Sequence, residues 1–289
     1  MPRLLLFGGS GQLGTAIRAL AVASWELDAP GSDRINLTAA EDISRYIHAS
    51  SPHVIVNAAA YTRVDDAETN RDEAFRINAE APSAIAIAAR VVGAHLVHVS
   101  TDYVFDGTGP HPYATTAPTN PLNVYGASKL AGEQAVATAD PRAITVRTAW
   151  VHSGGGVNFV ATAVRLFGAG KSMQVVDDQV GTPTRAANLA CALLLLAEHP
   201  EVAGTLHFTD AGVASWYDVA CCVLATMRDA GRVRDDVMVT PVDSSAFPRP
   251  ARRPQVSILD THASRRVIGW TPPHWREGVI ASTRELLDA

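Results

Sequence analysis

The run Gly8-Gly9-Ser10-Gly11-Gln12-Leu13-Gly14 constrains this chain more than any other stretch. It follows the apolar segment Arg3–Phe7 at once and opens a helix-like one, so Gly8, Gly11 and Gly14 sit at G-x-x-G-x-x-G spacing between a strand and a helix. Absent side chains let the backbone turn tightly and approach a pyrophosphate. The charge of that pyrophosphate then faces the N–H groups and positive end of the helix. The loop predicts a dinucleotide cradle lined by Gly8, Gly11, Gln12, Leu13 and Gly14.

The rest of the first half continues the same rhythm. Arg3–Phe7, His53–Asn57, His95–Ser100 and Ala143–Thr148 are near-continuous apolar runs of buried-strand length. Between them lie alanine-rich, helix-like segments, Gln12–Ala23, Arg71–Val92 and Ser128–Thr138. Alternation of this kind predicts βαβ units and a parallel sheet covered on both faces. With 289 residues, 47% of them apolar, the chain can bury such a core. The expected fold class is α/β, a Rossmann-type doubly wound parallel sheet over residues 1–153 with a smaller, partly discontinuous C-terminal substrate lobe.

After Trp150 the pattern loosens. Ser153-Gly154-Gly155-Gly156 makes a flexible break, Phe159–Ala169 and Asn188–Glu198 read as helices, and Thr205–Thr209 as a late strand. Residues 186–212 are therefore expected to return to the sheet domain. Residues 154–185 and 213–289 would form the substrate lobe, over the carboxyl edge where doubly wound folds bind ligands.

Asp28 lies 20 residues after Gly8, where a carboxylate can accept hydrogen bonds from adenosine ribose hydroxyls and repel a 2′-phosphate. Arg34 argues the other way, so NADPH and NADH both stand as the cofactor. The third strand ends in Asn57-Ala58-Ala59-Ala60-Tyr61; Ala58, Ala59 and Tyr61 join the cofactor-binding candidates, because small residues there allow close approach.

Tyr125 and Lys129 are four residues apart, so on a helix both side chains leave one face. An ordinary phenol has a pKa near ~10 and needs a cation beside it to act as acid or base near neutrality. Lys129 is expected to lower the phenol pKa and to hold the nicotinamide ribose, while Tyr125 donates a proton to a carbonyl oxygen as hydride arrives at carbon. Thr101 ends the strand His95–Ser100 and can hydrogen-bond the same oxygen.

With Thr101, Tyr125 and Lys129 together, the chain resembles the dTDP-4-dehydrorhamnose reductase family of extended short-chain dehydrogenases. The similarity is carried by Gly8–Gly14, the segments Val56–Thr62 and Val64–Glu68, Ser100–Gly107, Tyr125–Glu133, Arg147–Trp150, Val176–Thr184 and Trp275–Glu277. It implies that Thr101, Tyr125 and Lys129 are catalytic and that the product is a 4-hydroxy sugar such as dTDP-L-rhamnose. It also implies that Thr101, Asp102, Trp150 and Arg249 meet the nucleotide sugar. Trp150 would offer an aromatic surface, and Arg249, Arg252 or Arg253 would neutralise diphosphate. Similarity to members that bind magnesium between subunits, through a glutamate two residues past the last loop glycine, stops at Ala16, so no metal is expected there. The adjacent Asp177 and Asp178 read as a loop or helix-cap pair.

Other classes fit less well. Net charge is −5 and no block of Lys or Arg appears, which argues against a nucleic-acid partner. Cys191, Cys221 and Cys222 lack zinc-site spacing and read as buried free thiols. The N-terminal apolar run is too short for a signal peptide, and no stretch would span a bilayer, so no membrane is expected and the protein is placed in the cytoplasm. A homodimer is a partner the sequence leaves open. A nucleotide-sugar 4,6-dehydratase would resemble its relatives in carrying Asp-Glu after the strand threonine, whereas Asp102 is followed by Tyr103. A 4-epimerase would need no external reductant. The same family also resembles the regulatory subunit of methionine adenosyltransferase, which suggests a non-catalytic NADP-binding role as the alternative; a reductase of a related deoxysugar is another.

Overall fold

Leu4, Leu5, Leu6 and Phe7 are almost wholly buried, with apolar neighbours on both faces, as a strand at the centre of a parallel sheet must be. In the computed structural model, which describes residues 1–109 and 112–289, this segment is β1 (Arg3–Phe7). It is followed by α1 (Gln12–Ala21), β2 (Glu26–Asp28), α2 (Ala40–Ser50) and β3 (Val54–Asn57). Then come α3 (Val64–Ala67), α4 (Arg71–Phe75), α5 (Ala81–Val92), β4 (His95–Thr101), α6 (Val124–Ala139) and β5 (Ile144–Thr148). The six-stranded sheet has the order β10-β5-β4-β3-β1-β2, all parallel, where β10 is Gly204–His207. Chain order reverses between β1 and β3, which opens a ligand crevice at their carboxyl ends.

Two expected boundaries move. The segment Arg71–Val92 is not one α-helix: a π-helical turn, Arg76–Glu80, separates α4 from α5. A π turn widens the helix by one residue and is frequent at functional sites. α6 begins at Val124, four residues earlier than expected, because Asn123 caps it by accepting the Gly126 N–H at 2.8 Å.

Beyond β5 lie β6 (Val151–His152), α7 (Phe159–Gly168), β7 (Met173–Val176), β8 (Val180–Gly181), β9 (Thr184–Arg185) and α8 (Ala186–Ala197). β10, β11 (Ala214–Ser215), α9 (Trp216–Asp229), β12 (Val239–Val242), α10 (His262–Ile268) and α11 (Trp275–Asp288) complete the chain. α8 lies on the sheet, where Leu189, Leu193 and Leu196 join Leu4, Leu6, Val54 and Val146 in one cluster. Ile268 of α10 joins it too, so the C-terminal segment contributes to both halves of the molecule. A separate cluster of Phe167, Val223, Met227, Trp275 and Val279 packs α7, α9 and α11 together beside short two-stranded ladders. Cys191, Cys221 and Cys222 are free thiols but only partly buried, on α8 and α9, which corrects the expectation of burial. Among the described residues no helix is long and apolar enough to cross a membrane.

Candidate active site

The glycine loop makes a cradle that side chains would fill. Gly8 has φ +82°, and a Cβ there would lie 2.6 Å from the Ala59 nitrogen and 2.7 Å from the Ala58 carbonyl carbon. A Cβ on Gly14 would overlap the Gly8 carbonyl, so helix α1 can start only where both residues lack side chains. Gly11 donates its N–H to the Gly8 oxygen at 3.1 Å and accepts from Thr15 at 2.8 Å, closing the turn. This backbone-only surface at a helix N-terminus fits a dinucleotide pyrophosphate. Leu13 packs against the sheet cluster. The Gln12 side chain turns to the loop after β6, accepting from Ser153 Oγ at 2.9 Å and Asn158 Nδ2 at 2.8 Å.

At the end of β2, Asp28 and Arg34 prove to be partners. Arg34 donates to Asp28 at 3.2 Å, Tyr46 donates to the other carboxylate oxygen at 2.8 Å, and Arg34 also reaches the Tyr46 oxygen. Burial and the neighbouring carboxylate push the Tyr46 phenol up to about 12. Tyr61 is placed differently from a cleft-lining residue. Its ring is buried against Ala67 and Ala74, its hydroxyl has no partner, and its main chain is held by Asn78 on both sides, at 2.8 and 3.1 Å.

β4 and α6 carry the three candidate catalytic residues. Thr101 ends β4 and donates to Asp102 Oδ1 at 3.1 Å, while the Tyr103 N–H donates to Thr101 Oγ1 at 3.2 Å. Tyr125, in the first turn of α6, has its hydroxyl beside the Thr101 side chain, and its ring meets Tyr103 edge-on at 5.6 Å. One turn on, Lys129 is 2% exposed and donates from Nζ to the Val99 carbonyl at 2.7 Å.

The electrostatics differ from the expectation for the phenol. Burial pushes Tyr125 up to about 12, opposed by the Thr101 side chain and reinforced by the nearby Asp102, rather than being lowered by Lys129. The physical reason is that desolvation outweighs the cation, whose own ammonium is turned to a strand carbonyl. Burial lowers Lys129 to about 8, with Glu133 opposing the shift. A phenol that keeps its proton through neutral pH suits the reductive direction, in which it must donate. Asp102 is raised to about 6, again by burial, with hydrogen bonds from Ser257 and Thr101 opposing.

A cleft of about 690 Å³ lies beside this centre, lined by Tyr103, Trp216, Phe247, Arg249 and Arg253 among others. A smaller cavity of about 230 Å³, lined by Gln12, Thr62 and Trp150, shares Val157, Phe159 and Trp216 with it. Thr101, Tyr125 and Lys129 line neither; Tyr103, touching both Tyr125 and the larger cleft, joins the two. Trp150 stacks on Trp216 at 3.7 Å and holds φ +48°, a left-handed conformation that bulky residues adopt only when their surroundings fix it. Arg249 is exposed on the cleft, donates no hydrogen bond among the described residues, and acts on the Asp65 carboxylate through its charge alone. Arg253 is engaged, donating to both oxygens of Asp65 at 2.5 and 2.9 Å, which holds that carboxyl below its usual range. Arg252 offers its carbonyl to Asn123 at 2.7 Å. Asp178 accepts the Ser244 N–H at 3.1 Å and its hydroxyl at 2.7 Å, a loop tie. Among the described residues no group of three or more His, Cys, Asp or Glu is arranged to hold a metal.

With the geometry in view, comparison with known proteins is decisive about kinship. The family profile described as RmlD substrate binding domain matches residues 2–287. A dTDP-4-dehydrorhamnose reductase of Burkholderia thailandensis is 39% identical, covering 99% of each chain. The chain belongs to the dTDP-4-dehydrorhamnose reductase family. A Streptomyces antibioticus relative, called a probable dTDP-4,6-dihydroxy-2-methyloxan-3-one 4-ketoreductase, is 41% identical over 99% of this chain and 96% of its own. The structure of a Bacillus anthracis dTDP-4-dehydrorhamnose reductase in complex with NADP superposes with TM-score 0.90 and 34% identity, covering 100% of this chain and 99% of the other.

Several residues of this family member escaped reading from the sequence alone. Asn78 sits in the π turn and links Tyr61 to Ser128 Oγ at 2.9 Å, yet an Asn inside an alanine-rich helix gives no signal. Trp216 follows a helix cap and looks like core. The Asp65–Arg253 pair spans 188 residues. Glu133 alone left a trace, since it continues the four-residue spacing of Tyr125 and Lys129.

Proposed function

We propose that this protein reduces the 4-keto group of a dTDP-4-keto-6-deoxy sugar at the expense of NADPH or NADH, with conversion of dTDP-4-dehydrorhamnose to dTDP-L-rhamnose as the leading reaction. The observation that carries the reading is the junction of Thr101 and Tyr125 at the end of β4, with Lys129 one helical turn behind and a glycine cradle opening two strands away. The dinucleotide, when bound, supplies the hydride. Gly8, Gly11 and Gly14 admit its pyrophosphate, Ala58 and Ala59 flank it, and Asp28 and Arg34 stand at the adenosine end.

Thr101 Oγ1 and the Tyr125 hydroxyl converge on the substrate carbonyl oxygen. As negative charge builds there, the Tyr125 O–H bond breaks and its proton moves to that oxygen, while the Thr101 hydroxyl turns from Asp102 Oδ1 to donate its one proton to the same oxygen. Lys129 offsets the phenolate left behind. Trp150, stacked on Trp216, supplies a flat apolar wall, and Arg249, exposed on the larger cleft, meets the diphosphate. Asp102, buried beside Thr101, orients it.

A second reading, a reductase of a related deoxysugar, draws on the Streptomyces antibioticus relative and its printed ketoreductase role. The deciding assay mixes the protein with NADPH or NADH and a panel of dTDP-4-keto sugars and follows the nicotinamide absorbance. Steady oxidation with the rhamnose precursor supports the leading reaction, and preference for another member supports the second. Cofactor binding without turnover on any sugar would overturn both and favour a non-catalytic regulator.

A further inference from the structure

Tyr125, Lys129 and Glu133 form one stripe along α6, each a turn beyond the last. Glu133 is 6% exposed and anchored from two strands. Its Oε1 accepts Ser100 Oγ at 2.5 Å and Arg147 Nε at 2.9 Å, and its Oε2 accepts Arg147 Nη2 at 2.7 Å. Ser100 and Arg147 are register partners on β4 and β5, and Arg147 in turn pairs with His207 on β10. Arg147 also donates to the Thr115 carbonyl at 3.2 Å and lies over the Phe105 ring. A buried pair this complete gives little net stability, since well-packed apolar residues often replace such pairs without loss. Its place therefore matters more than its strength: it sits directly behind the strand residue that precedes Thr101 and one turn behind Lys129.

We propose that Glu133, clamped by Arg147 and Ser100, is a positioning residue for the reduction, fixing the end of β4 that carries Thr101 and setting a compensating carboxylate behind the Lys129 ammonium. This rests on the roles given to Thr101, Tyr125 and Lys129 above. The groups facing Lys129 are few. β4 offers the Val99 carbonyl and His98, which burial holds neutral. On its own helix Lys129 has Tyr125 and Glu133, so Glu133 is the carboxylate that opposes the loss of its proton.

The test uses the full chain and three variants, Glu133→Gln, the paired Glu133→Leu/Arg147→Met, and Ser100→Ala. The paired variant removes both charges at once and keeps the question open to measurement if Glu133→Gln does not fold. It is expected to melt near the wild-type temperature and to lose ~10-fold or more in kcat at unchanged KM for the sugar nucleotide. The basic limb of its pH profile should move to lower pH by about one unit, because an ammonium without its carboxylate gives up its proton sooner. Ser100→Ala should lower kcat without moving that limb. A folded paired variant with wild-type kcat and an unmoved limb would reduce Glu133 to a packing role. The pH dependence of NADPH affinity, read by tryptophan fluorescence, gives the same comparison without turnover. If the wild type binds NADPH yet consumes none, the functional reading falls, while a downward shift of that affinity profile in the variant still supports Glu133 and coincident profiles overturn it.

Discussion

The sheet and the helical lobe solve the problem of holding a ligand in different ways. On the sheet side the binding surface is backbone: Gly8 and Gly14 are shaped by what cannot be there, and Ala58 and Ala59 follow a strand buried at every residue. On the lobe side the surface is side chain: Trp150, Trp216 and the stretch holding Phe247 and Arg249 come from three separate segments, and the strands there are two to four residues long. A backbone site is rigid and indifferent to what the cofactor carries beyond its phosphates. A side-chain site can be altered one residue at a time, so under the proposed function substrate choice would belong to the lobe and the chemistry to the seam between the two.

The sharpest way to break this division is at the seam. Tyr125→Phe is expected to cut kcat by ~100-fold or more while leaving NADPH affinity unchanged, as measured by steady-state rates and fluorescence titration. Gly8→Val should act on the sheet side alone. Its positive φ and the overlap with Ala58 and Ala59 predict a loss of roughly 1–3 kcal/mol in stability and a clear loss of NADPH binding, seen by thermal melting and titration. Arg249→Met should do the reverse, raising KM for the dTDP sugar by about tenfold with NADPH affinity intact, the scale of one lost charged hydrogen bond. If it weakened NADPH instead, the assignment of the two sides would be wrong.

Smaller effects come from protons. Lys129, lowered to about 8, keeps its ammonium below that value, so turnover should fall as pH rises through about 8. Asp210 lies where the regions meet, accepting the Arg185 N–H at 3.1 Å and Asn188 Nδ2 at 2.9 Å, close to Gly278 of α11. Burial raises it from 3.8 to about 6, so the folded state holds this proton more tightly than the unfolded chain does. Its contribution is full below pH 3.8 and lost as pH climbs to about 6. Asp210→Asn should flatten that decline in denaturant unfolding measured across the window, leaving the part due to Asp102, which has the same sign.

Much of the sheet side was legible because its signals are local. A strand, a glycine turn and a helix start follow one another within Arg3–Gly14, and Tyr125 and Lys129 share a helix. Even there the reading stopped at what local spacing controls. It expected Lys129 to lower the phenol, whereas the depth at which β4 and α6 bury Tyr125 raises it. The π turn that places Asn78 was invisible, because the residues around it favour an ordinary α-helix and the widening follows from packing against α6, where Gly132 meets the Asn78 carbonyl.

By itself the sequence determined the parallel sheet, the glycine turn and the placing of Tyr125 and Lys129 on one helix, since each depends on residues within a few positions of one another. Only the tertiary structure decided that Asp28 and Arg34 share one cluster, that Arg253 is held by Asp65 while Arg249 stays exposed, that Trp150 lies on Trp216, and that Glu133 stands behind Lys129 between two strands. The reason is physical: charge, exposure and proton affinity are set by whatever surrounds a group in space, and those neighbours come from parts of the chain that no local spacing connects.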